Sequence, residues 1–122
     1  MKDHIHVVWE FLQPLNMKDS INRFRRFTGK KIVAYLKEVG PEYLENFMSE
    51  RKDRKYKVWK INPDNFHLLH ESIVIQKINY VHENPTKGDY QTVEHGELYL
   101  HSSAKAYSLG KSNFSFLTLF QG

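Results

Sequence analysis

The sequence predicts one α+β domain, and three observations carry that expectation. An apolar/other alternation over residues 4–11 has the two-residue period of a strand. Two longer stretches, 17–39 and 71–83, place apolar residues at helical spacing. The third is composition. The chain has 122 residues, 40% of them hydrophobic, with eight Phe, seven Tyr and two Trp, which is enough to fill one modest core.

In HIHVVWEF, residues 4–11, Ile5, Val7, Trp9 and Phe11 fall on one face of an extended strand. His4 and His6 fall together on the other, either as half of a cation site or as ordinary strand residues. Pro14 and Asn16 break the pattern. Met17 to Val39 reads as a long helix, with Ile21, Phe24, Phe27, Ile32, Tyr35 and Leu36 at its apolar positions and Gly40-Pro41 as its stop. A short helix is expected over Glu42–Glu50. Phe66–His70 reads as a strand, Glu71–Glu83 as a second helix, Ser102–Tyr107 as a short helix and Phe114–Phe120 as a closing strand.

Each residue turns a helix by about 100°. In the second helix Val74, Ile78 and Val81 therefore share a core-facing side, while Gln76, Lys77, Tyr80 and Asn84 share another. Tyr80 and Asn84 are one turn apart, so a phenol and a carboxamide point the same way near the helix end. Tyr80 also reads as a packing residue with a wet hydroxyl, and Asn84 as a simple helix terminator. His67, His70 and His82 are further imidazoles whose spacing fits no metal motif.

Charge is uneven. Thirteen of the 18 Lys and Arg, but six of the 14 Asp and Glu, lie between Lys18 and Lys60. That segment is +7 and the remainder −3, within a net charge of +4. A basic segment with interleaved aromatics, as in RKDRKYKVWK at 51–60, suits a polyanionic partner, nucleic acid first; a solvated helix face is the alternative. Arg23, Arg26, Lys30, Lys31, Arg54 and Lys57 are the candidate DNA contacts. The absence of cysteine excludes disulfide and thiolate chemistry, and no apolar run approaches the length of a membrane span. No glycine-rich phosphate loop, Ser-His-Asp pattern or zinc-protease motif is present. A soluble intracellular protein is expected.

Taken in order, five blocks resemble the HUH single-tyrosine transposases, nearest to the REP-associated tyrosine transposases. MKDHIHVVW resembles the family's Met-Pro-Asp/Asn-His-x-His signature, with Lys2 where Pro is frequent. INRFRRFTGKKI looks like its basic helix, and KVWK at 57–60 is similar to its Val-Trp-Gln. INYVHENPTKGDY at 78–90 resembles the block Tyr-(Ile/Val)-x-x-Asn-Pro, and LYLHSSAKAY at 98–107 the segment ending in Ser-Ser-x-x-x-Tyr. The resemblance covers about residues 1–110.

This resemblance implies a ferredoxin-like (RRM-like) antiparallel sheet with packed helices, in one domain over residues 1–122. Relative to the family, that domain lacks the first strand-helix-strand, so the His-x-His strand is expected to want ladder partners. A late start, a truncated remnant, or a second copy or other strand-supplying chain would account for it. The resemblance also implies that His4, His6 and Asn84 bind a divalent metal, Mg²⁺ or Mn²⁺, and that Tyr80 is the nucleophile on single-stranded DNA beside small hairpins, giving a 5′-phosphotyrosine. The resemblance further implies a DNA-associated protein of the bacterial cytoplasm. A non-catalytic hairpin-binding protein and an inactive transposase remnant are the alternatives.

Overall fold

The computed structural model describes residues 3–11 and 17–122, with the Tyr90 side chain outside that description. The break expected at Pro14 and Asn16 and the departure at Lys2 lie outside the described residues. The chain forms two compact units, one from Met1–Trp9 with Phe66–Gly122 and the other from Glu10–Asn65.

The architecture is helical, and the ferredoxin-like antiparallel sheet is not formed. Among the described residues there is no strand, and the one β-pairing is an isolated antiparallel bridge between Met48 and Tyr56. Residues 4–11, 66–70 and 114–120 have the alternation or composition of strands but no ladder. A strand gets its hydrogen bonds from a neighbouring segment, whereas a helix gets them from its own chain four residues back. Ile5, Val7 and Trp9, from the expected inward stripe, are 51%, 49% and 37% exposed, so that stripe is not buried as a sheet face would be. Such exposure lets water meet the hydrogen-bonding need of backbone groups that a ladder would otherwise satisfy.

Both long helices lie where the periodicity puts them. α1 spans Met17–Val39, with Asp19 in its first turn and Lys37 in its last, the signs that complement the helix dipole. The Gly40 N–H still bonds Leu36 O at 3.0 Å, and Pro41 then starts a 3₁₀ helix, Pro41–Phe47, in place of the α-helix expected over 42–50. α1 buries no residue fully. Its contact with the basic stretch is made by side chains: the Trp59 indole N–H donates to Thr28 Oγ1 at 2.9 Å, and the Arg25 guanidinium donates to the carbonyls of Lys60 and Ile61. The Phe24 and Trp59 rings lie 6.2 Å apart.

α2 spans Glu71–Glu83 and buries Ile78, the centre of its expected core face. Pro85 deprives the next turn of a donor, and Asn84–Thr86 tightens into a 3₁₀ turn whose Pro85 side chain is fully buried. The Thr92 and Val93 N–H groups both donate to Pro85 O, at 2.8 and 3.2 Å, which folds the following loop back on α2. Further 3₁₀ turns occupy Gly88–Tyr90 and Gly96–Leu98. α3, Ala104–Leu109, lies slightly later than expected and buries Ala104 and Ala106. It ends at Gly110, whose φ of 64° is the left-handed conformation of a helix stop. The 114–120 segment is tied down by a side chain instead of a ladder: the Phe120 N–H donates to the Tyr107 hydroxyl at 2.8 Å.

No helix among the described residues is long and apolar enough to cross a membrane.

Candidate functional site

α2 presents Tyr80 and Asn84 on one side because they are one turn apart, and the 4–9 segment belongs to the same compact unit. Asn84 Nδ2 lies 3.2 Å from His6 Nε2, a contact spanning 78 residues of sequence. The His6 and Tyr80 ring centroids are 6.1 Å apart at 80°, and those of His4 and His6 are 5.1 Å apart at 89°. His4 Nδ1 is 2.5 Å from the Asp3 carboxylate, the type of outer partner that fixes an imidazole's tautomer and orientation. All four candidates, His4, His6, Tyr80 and Asn84, thus meet on one surface.

Electrostatics favours a neutral His6. Partial burial lowers its pKa from the ordinary value, and the neighbouring His4 lowers it further. A neutral imidazole is the form that ligates a cation. Among the described residues no three His, Asp or Glu gather into a cation site, so the set depends on the Asn84 carboxamide. That amide now offers its NH₂ to His6. Turned end for end, it would offer Oδ1 from the same place, and two imidazoles with one amide oxygen suit a divalent cation with open positions. The donor set fits the group.

Lys77 completes this surface. Its ammonium lies 5.7 Å from the Tyr80 ring centroid and 5.6 Å from that of Phe66. Helical spacing already put Lys77 beside Tyr80. Phe66 carried no such signal, because only the path of the chain into α2 brings it there.

The remaining candidates divide. His82 is taken out of ligand duty: its Nε2 lies 2.8 Å from Ser103 Oγ, and its ring packs 5.2 Å from that of Tyr107. Burial lowers its pKa. Ser103 and Tyr107, both in the Ser-Ser-x-x-x-Tyr block, therefore brace α2 against α3. A cleft of about 450 Å³ runs past Asn79, His82, Glu94 and Tyr107, but none of His4, His6, Tyr80 and Asn84 lines it. The four candidates lie on an open face and not in the cleft.

The DNA-contact candidates Arg23, Arg26, Lys30, Lys31, Arg54 and Lys57 are all exposed, within the Glu10–Asn65 unit. Arg23, Arg26 and Lys30 follow one stripe of α1, and the Lys31 ammonium lies 5.8 Å from the Phe27 ring. Arg54 is partly neutralised by Asp53, 3.2 Å away, which also pairs with Arg51 at 3.1 Å. These two guanidiniums hold the Asp53 carboxyl below its usual range.

No family model, no curated protein and no solved structure matches this chain.

Proposed function

We propose that this protein cleaves and rejoins single-stranded DNA, with Tyr80 as the nucleophile, in the manner of the tyrosine transposases its motifs resemble. The observation that carries the reading is the approach of Asn84 to His6 within 3.2 Å, beside the Tyr80 ring. Residues 78 positions apart in the sequence have no packing need to meet as imidazole and carboxamide, beside a phenol, on an open surface.

The Tyr80 oxygen attacks the phosphorus of a phosphodiester and gives up its proton. The bond to the 3′-oxygen breaks, and that oxygen leaves as a hydroxyl after taking a proton. The DNA remains attached as a 5′-phosphotyrosine. Because one ester replaces another, a 3′-hydroxyl reverses the step without a nucleotide cofactor. His4, His6 and Asn84 would hold Mg²⁺ or Mn²⁺, whose chemistry there is to polarise the phosphate and offset the charge on its oxygens. Asp3 keeps His4 oriented, and Lys77 keeps a positive charge beside the phenol.

A labelled hairpin oligonucleotide with a single-stranded flank, incubated with the protein and Mn²⁺, should give a slower band on a denaturing gel, absent for Tyr80→Phe. Equal behaviour of wild type and Tyr80→Phe would overturn the assignment. The second reading is a hairpin-binding protein without catalysis, favoured by the +7 segment and its exposed basic stripe. It predicts steeply salt-dependent binding and no covalent band.

A further inference from the structure

Phe66 is 71% exposed immediately before α2, in the same unit as Tyr80. So exposed a ring adds little to the core and keeps most of its surface open to a ligand. Its one described ring neighbour is the Lys77 ammonium, 5.6 Å from the ring centroid, which also stands 5.7 Å from the Tyr80 ring. A single cation is therefore flanked by two rings: one belongs to the candidate nucleophile and the other is largely open. Lys77 is half-buried, so its stem packs along the surface while its ammonium stays in water beside the two rings.

An open aromatic face with a positive charge beside it matches the repeating unit of a single strand, which offers a base and a phosphate at each step. We infer that Phe66 and Lys77 form a nucleotide subsite in which a base stacks on the Phe66 ring and Lys77 neutralises the phosphate presented to Tyr80. The inference rests on the reading of the Tyr80 surface as a site for single-stranded DNA. Stacking accepts any base, because every base has a π-face, so this subsite supplies grip and register but little sequence preference. Phe66 and Lys77 are positioning residues, with no bond made or broken at either.

The test uses the full chain carrying Tyr80→Phe, without added metal, so that no covalent chemistry intervenes. Binding of labelled oligothymidylate is compared with that of an abasic deoxyribose-phosphate chain of the same length. The base-dependent part of the affinity should fall about five- to 150-fold in Phe66→Ala and return in Phe66→Trp. The abasic chain should bind Phe66→Ala and its parent alike. Lys77→Gln should weaken both probes and flatten the slope of log affinity against log salt by about 0.7. Phe66 is too exposed for its loss to unfold the chain, and circular dichroism checks this. An unchanged base-dependent affinity in Phe66→Ala, or an equal loss on the abasic chain, would overturn the inference. Adduct formation by the wild type is scored separately, so a failed subsite and a failed nucleophile give different results.

Discussion

Gly96 packs against the end of α2 that carries the candidate site, and replacing it should disturb that end measurably. A Cβ at Gly96 would lie 2.6 Å from the His82 carbonyl oxygen, whereas ordinary contact begins at 3.4 Å. Backbone must therefore yield by ~0.8 Å, because no flexible side-chain tip is available to move aside. Overpacking of this kind costs about 1–3 kcal/mol, and the loss of glycine's unfolded-state freedom returns about 0.4–1 kcal/mol. Gly96→Ala should thus lose up to about 2.6 kcal/mol and at mid-range about 1.3 kcal/mol, and each kcal/mol lowers the melting temperature of a unit this small by about 4–8 °C. Gly29→Ala is the internal contrast. There the new Cβ meets Trp59 at an ordinary 3.6 Å inside α1, so helix propensity should make the same substitution stabilising by about 0.5–1 kcal/mol. Thermal melts followed by circular dichroism read both. Gly96→Ala melting at or above the wild-type temperature would refute the close approach of the 96–98 turn to α2.

Three further outcomes follow from the same geometry. Asn84→Ala should weaken Mn²⁺ binding, read by electron paramagnetic resonance titration, by about tenfold or more, and adduct formation should partly recover at high Mn²⁺. Burial holds both His82 and His6 below their ordinary pKa of 6.5, so the unfolded chain takes up protons first as pH falls. Stability should therefore be complete above about pH 6.5 and decline as the pH drops through the folded values, and chemical denaturation should show a smaller decline in His82→Gln. Trp59→Phe removes the donor to Thr28 Oγ1 but keeps an aromatic ring, and should cost about 0.5–1.5 kcal/mol in denaturant melts.

The helices were legible in the sequence because their bonds are local. The apolar spacing in 17–39 and 71–83, together with Gly40-Pro41 and Asn84-Pro85, marks where α1 and α2 lie. Strand formation is not a local property. Ile5, Val7 and Trp9 alternate as a strand should, yet alternation alone supplies no ladder, and none forms over these residues. The same distinction runs through the site. Tyr80, Asn84 and Lys77 share a helix face by arithmetic alone. The contact of His6 with Asn84 was expected only from motif resemblance, since nothing in the local pattern brings residue 6 to residue 84. Phe66 beside Lys77, and His82 on Ser103, depend on how the chain enters and leaves α2, and no periodicity encodes that.

The central claim, that Tyr80 is the group that joins to DNA, is tested most directly by locating the joined nucleotide. After reaction with the hairpin substrate and Mn²⁺, nuclease and trypsin digestion should leave a nucleotide mass on the peptide of residues 78–87, which lies between Lys77 and Lys87 and contains Tyr80 as its single tyrosine. That mass on this peptide is the result predicted. A covalent adduct on a peptide bearing another tyrosine, or no adduct under conditions where the oligonucleotide is bound, would contradict it.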